Sequence, residues 1–363
     1  MKIRKIAATL LCLTMVVCSI PAFVFADEDN IDVQEQDQSA VSDTAPGGGG
    51  PNDEDDDAVS VDGFSLSIGG DIAVNFFIDV DGSVVDVDAA YVDFTVTDNE
   101  GATVSSQTVR LSDIEPLSEE ELGPSYDENF PRYKISCNVA AKDMTSTISM
   151  EFIYDGDVYA DCEYSIRQYA KELLEDSRQS GYWDLVKAML DYGTYAQNYF
   201  NHNLGQPANG GEDYNDISEI SASTVSSYAR TLDGFDPSSN VSFAGANMSL
   251  LSTTTLTLFF NNQTGRKITY DVTSDLDSYE TTRSGYDVVV FDNIPAQDLN
   301  TKIVVKVYDG ETYIGTVTYY PLSYCYAVLS KDYTDSVITN DLKDLVRSMY
   351  IFYTEAHSLL SVG

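Results

Sequence analysis

The chain says the same thing twice, and that limits its folds more than any other feature. Phe64 to Phe76 lines up without a gap on Met248 to Phe260. Tyr154-Asp155-Gly156 recurs as Tyr308-Asp309-Gly310, and Asp184 to Met189 recurs as Asp344 to Met349. The anchors keep their order, which predicts a tandem duplication of one module.

Within the first copy the periodicity has two parts. Phe64 to Ile68, Ile72 to Ile78, Tyr91 to Thr97, Gln107 to Leu111, Tyr133 to Val139, Thr147 to Tyr154 and Val158 to Tyr164 read as strands. Asp155-Gly156 joins the last two, and both residues accept the positive φ that a two-residue hairpin turn needs. The period then lengthens. Ser165 to Leu174 and Trp183 to Phe200 read as helices, with Leu185, Met189, Tyr192, Ala196 and Tyr199 on one stripe and Leu345, Met349, Phe352, Ala356 and Leu359 at the matching places. Agreement between copies marks a buried face. Tyr195 faces Glu355 across the alignment, so that position is read as solvent-facing, where the copies diverge. The expected class is α+β, two tandem β-sandwich-like domains, each ending in a helical hairpin packed on the sheet.

The domain reading is a signal peptide over 1–26, an acidic and Gly-rich tether over 27–60, repeat domains over 61–203 and 236–363, and between them a linker over 204–235 with a short helix near Ser221 to Arg230. The leader rests on Lys2, Arg4 and Lys5, the apolar run from Ile6 to Val17, and Val24-Phe25-Ala26 before Asp27. Val17 before Cys18 ranks the lipoprotein alternative low. No later stretch is long and apolar enough to span a bilayer, and the last residues show no wall-sorting motif. The expectation is a secreted, extracellular product, held at a surface by a partner if at all.

The tether holds twelve acidic residues and no Lys or Arg, a composition that cannot bury enough apolar surface to order itself. The formal charge of the chain is −39. Without the three basic residues of the leader and the twelve acids of the tether, 17 basic and 47 acidic residues remain, a net −30. That charge excludes nucleic acid and electrostatic attachment to anionic membranes as partners. Past the leader stand Cys137, Cys162 and Cys325, an odd set that leaves at least one thiol unpaired. Only Cys137 and Cys162 share a copy, and the reading is three buried small apolar side chains.

Catalytic chemistry is sparse. The two histidines, His202 and His357, each sit near the end of a terminal helix, near equivalent positions of different copies. No nucleophile elbow, zinc spacing or phosphate loop occurs. A glycosidase needs only two carboxylates, so a hydrolase stays open. The one metal-like feature is Asp79-Val80-Asp81-Gly82 with Asp86 and Asp88. Asp79, Asp81 and Asp88 match part of a calcium loop, but Phe77 stands where the first ligand belongs. A polar turn is the preferred reading, and no cofactor is expected.

The copies differ most between anchors: 91 residues separate Phe64 from Asp155, against 61 between Met248 and Asp309. The surplus falls around Asp98 to Pro131. Loops inserted on a rigid scaffold carry specificity, so Tyr126 and Phe130 there, with Tyr195, are the candidate binding residues.

A resemblance adds to this. Phe64-Ser65-Leu66 with Gly70-Asp71-Ile72-Ala73-Val74-Asn75-Phe76-Phe77 is similar to the opening of a tandem β-sandwich/helix repeat found in secreted and surface proteins of Gram-positive gut anaerobes. So are Tyr164 to Ala170, Leu185 to Gly193 and Ala196 to Phe200. The second copy is more degenerate, with Tyr353 in place of Gly193. The resemblance implies location and modularity and supplies no catalytic residues. Sequence therefore leads to a secreted non-catalytic binding or adhesion module for an extracellular glycan or protein partner. The alternatives are a structural spacer of the cell envelope and a carbohydrate-active hydrolase.

Overall fold

The computed structural model describes residues 58–67, 72–236, 239–250, 253–331 and 338–360. The leader and almost all of the tether lie outside the described residues. The fold is mixed α+β, with fifteen strands in four sheets and a few helices, and its contacts separate into two compact units at Asn215/Asp216.

The first unit runs β1 (Val59–Ser67), β2 (Ala73–Val80), β3 (Tyr91–Thr97), β4 (Thr103–Arg110), α1 (Glu119–Leu122), β5 (Arg132–Asn138), β6 (Thr147–Tyr154), β7 (Asp157–Tyr164), α2 (Ile166–Glu175) and α3 (Trp183–Phe200). Its sheets are β1-β2-β5 and β4-β3-β6-β7, antiparallel throughout. The alternation read from sequence sets the faces. Val92, Phe94 and Val96 of β3 are buried, as are Ile148, Met150 and Phe152 of β6. Phe76 and Phe94 meet across the two sheets at 5.2 Å. Burying each such ring contributes roughly 1.5–3 kcal/mol. The β6–β7 turn is Asp155-Gly156, with φ of 51° and 89°.

β1 begins at Val59, and Ala58 and Val59 are buried. The folded unit therefore starts inside the stretch read as tether. Ser165 caps α2 by accepting from Gln168 N, and Trp183 Nε1 donates to the Leu173 carbonyl, tying α3 to the end of α2.

The second unit runs β8 (Thr231–Asp233), β9 (Val241–Leu250), β10 (Thr254–Asn262), β11 (Thr269–Thr273), β12 (Ser278–Arg283), β13 (Tyr286–Phe291), β14 (Ile303–Asp309), β15 (Thr312–Tyr319), α4 (Ser323–Leu329) and α5 (Asn340–Leu360). Its sheets are β12-β13-β10-β9 and β11-β14-β15-β8. Phe260 and Tyr270 meet across the sheets at 5.0 Å.

Past β8, each unit places seven strands before two helices, and six of the seven strands have matching partners. The fourth strand does not: β4 pairs with β3, whereas β12 pairs with β13 in the other sheet. The second unit thus has one sheet of four strands, β12-β13-β10-β9, and one of three, β11-β14-β15, with β8 added at an edge. Connection length accounts for the switch. Ser284 and Gly285 alone link β12 to β13, with φ of 52° and 83°. Such a link can only make a hairpin, because sheets lie ~10 Å apart. Between β4 and β5 lie residues 111–131. That length frees β4 to fold back on β3 across a turn in which Asp98 accepts from Glu100 N and Ala102 N.

The register refines the sequence alignment. A β-bulge places Gly63 opposite Phe77 in one unit and Gly245 opposite Phe259 in the other. Both pairs are 182 residues apart, not the 184 of the ungapped match. A shift of two leaves every side chain on its own face. The second hairpin also slips: Asp309 pairs with Thr312, so the turn is Gly310-Glu311 rather than Asp309-Gly310.

No α-helix forms over Ser221 to Arg230. The segment forms 3₁₀ turns at Ile217–Glu219 and Ser226–Tyr228, then β8. Its hydroxyls bond nearby backbone instead, Thr224 Oγ1 accepting from Ser221 N and Ser226 Oγ donating to Ser223 O, which competes with helix. It is anchored to the unit it precedes, through Arg347 Nε to Ile220 O and Ser323 Oγ to Tyr228 O. Residues 203–215 likewise belong to the first unit.

Candidate functional site

Two adjoining loops of the first unit present the predicted binding residues. Residues 81–90 follow β2, and residues 111–131 precede β5. Gly82 N donates to the Asn129 carbonyl at 3.4 Å and Val80 N to the Pro131 carbonyl at 3.1 Å, so the loops share one rim. The longer loop is built rather than slack. Ser118 and Glu121 form a reciprocal capping box around α1, Asp127 accepts from Asn129 N, and Leu117 N donates to the Arg132 carbonyl. The Ser118 hydrogen bonds hold the Glu121 carboxyl below the usual glutamate range. On this frame Tyr126, Phe130 and Val84 are 41%, 42% and 46% exposed.

The three aspartates of the partial calcium loop have other uses. Both oxygens of Asp79 accept from Arg132, at 2.8 and 2.9 Å, and Arg132 also pairs with Asp62. Asp81 accepts from Ser83 N and Oγ, which lowers its pKa. Asp88 is exposed and donates its N–H to Asp86. Among the described residues no group of three His, Cys, Asp or Glu is arranged to hold a metal ion. Tyr195 is half-buried on α3, and Glu355 in the second unit is half-buried as well.

Sequence reasoning missed two constellations. The first surrounds His202. Its Nε2 lies 2.7 Å from Asp143 Oδ1, and Lys142 Nζ is 2.7 and 2.9 Å from the two Asp143 oxygens. Asn203 Nδ2 donates to the buried Ser146 hydroxyl, and Gln197 Nε2 to Thr145. His202 Nε2 is close to Asp143 but not aligned for a hydrogen bond, and the Ser146 hydroxyl is buried; the cluster clamps the end of α3 to the turn before β6. In the second unit the residue matching Gln197 is His357, 160 residues on, whose Nδ1 lies 3.1 Å from the Gln297 carbonyl. The two histidines are therefore not equivalent.

The second is on the outer face of the β12-β13-β10-β9 sheet. Tyr279, Arg283, Tyr286 and Phe259 share that face by register. Tyr279 is 48% exposed, Arg283 Nη2 donates to its hydroxyl at 3.4 Å, and Phe259 meets Tyr286 edge-on. The signal was alternation across Tyr279, Thr281 and Arg283, which places an aromatic and a cation on one side of an edge strand.

The three cysteines are free thiols. Cys137 and Cys325 are buried and Cys162 is half-buried; burial pushes each thiol up to about 12. Cys137 lies in the β1-β2-β5 sheet and Cys162 in the β4-β3-β6-β7 sheet. No helix among the described residues is long and apolar enough to cross a membrane. No protein-family model matches the chain, and no curated protein matches it at a significant level.

Proposed function

We propose that this protein is a secreted, non-catalytic binding module. It consists of two related sandwich units in tandem and recognises an extracellular glycan or surface partner through the first unit's loops. One observation carries this reading: Tyr126 and Phe130 stand exposed on a loop held in shape by its own caps, at a connection that the second unit reduces to Ser284-Gly285. Large aromatic side chains left in solvent and preorganised give up little entropy on binding. The exposed side chains of Tyr279 and Tyr286 support a binding role for the second unit too.

The test is an array of plant polysaccharides, mucin glycans and host glycoproteins, probed with and without calcium. Retention that disappears in Tyr126→Ser/Phe130→Ser, at two exposed positions, supports the reading. A blank array would rule out a glycan or glycoprotein ligand at these loops.

A further inference from the structure

The loops that expose Val84, Tyr126 and Phe130 are also strongly acidic. Residues 111–131 hold seven acidic residues and no Lys, Arg or His, and all seven are exposed. Residues 81–90 hold three more, again without a cation. Arg132, at the foot of the loop, is already held between Asp62 and Asp79, and Lys134 acts on Glu121. The two adjoining loops that carry three exposed apolar side chains therefore also carry ten carboxylates.

We propose that this rim docks a cationic segment of a partner protein, a Lys/Arg-rich stretch that also carries apolar side chains. Charge complementarity selects that occupant. An anionic glycan would be repelled, and a neutral one would leave exposed carboxylates such as Glu119, Glu120 and Glu128 unanswered. A basic segment is steered in by the field of the acidic chain and then anchored by apolar contact. The capped, hydrogen-bonded loops hold the anchors in place before binding. The inference rests on the binding role proposed above and names the partner class at the same loops.

Any polycation is drawn to so acidic a protein, so the test must separate anchoring from bulk attraction. The full chain is titrated with a short Lys/Arg peptide bearing Trp and Leu, and with the same peptide bearing Ser instead, at low and high salt. The proposal expects the apolar peptide to bind about tenfold or more tighter. It expects Tyr126→Ser/Phe130→Ser, which leaves net charge unchanged, to erase that preference, and Glu119→Gln/Glu120→Gln/Glu128→Gln to weaken both peptides. All five positions are exposed, and unchanged thermal unfolding checks that the variants fold. Equal binding of the two peptides, or a preference that survives the aromatic variant, overturns the proposal. If the array instead shows a neutral glycan lost in the same variant, the cationic partner is wrong and the binding role stands. If both experiments are blank, both fall.

Discussion

At the scale of single residues, α3 shows how much one helix can be asked to bury. Its apolar stripe was visible in the sequence, but Asp191, Thr194 and Gln197 are buried as well. They hold residues 203–215 against the helix. Asp191 alone accepts from Asn209 Nδ2, Tyr214 N, and the N and Nδ2 of Asn215. Asp191→Ala would orphan two backbone N–H groups and is expected to cost about 2–4 kcal/mol. Loss of hydrogen-exchange protection over 209–215 checks it. Gly193 serves the same packing, since a Cβ there would meet Met144 Sδ at 2.5 Å and Ala208 Cβ at 3.0 Å. Gly193→Ala should destabilise by about 1–3 kcal/mol despite its better helix propensity, measurable by denaturant unfolding. Tyr353, at the matching place, is buried and stacks on His357. The thiols give a third expectation: with their pKa values pushed up to about 12 by burial, Cys137 and Cys325 react with a thiol reagent at mildly alkaline pH only after unfolding. Rapid labelling of either in the native protein would contradict their burial.

At the scale of elements, the fourth strand carries the lesson. Its existence was legible, because Gln107 to Leu111 alternates, and so were the Asp155-Gly156 hairpin and the limits of α3, because those signals are local. Its partner was not legible, because pairing depends on whether two or twenty-one residues follow it. The same holds for the loops: their acidic, aromatic composition could be read, but not that residues 81–90 and 111–131 meet. The aromatic face at Tyr279 needed the register of β12 on β13. Replacing residues 111–131 with Ser-Gly should force a β4–β5 hairpin and move β4 to the edge of the β1-β2-β5 sheet. Cross-strand contacts from Arg110 to Arg132 would show it, and persistence of the Tyr91–Arg110 pair would count against it. The capping box adds a pH expectation. The Glu121 pKa is depressed in the fold, so its contribution is present above the ordinary glutamate range and is lost as pH falls through the depressed value. Exchange protection over 118–122 should therefore fade in acid while the sheets persist.

At the scale of the molecule, a strongly acidic exterior carries an island of exposed aromatic and apolar side chains, and the longer of its supporting loops, residues 111–131, is reduced in the second unit to Ser284-Gly285. That asymmetry is the central claim, and binding on the glycan and glycoprotein array tests it most directly, with the intact chain compared against Tyr126→Ser/Phe130→Ser. The account predicts that the intact chain is retained by at least one ligand class and that the variant, folded and equally charged, is not. Indistinguishable behaviour of the two would contradict it.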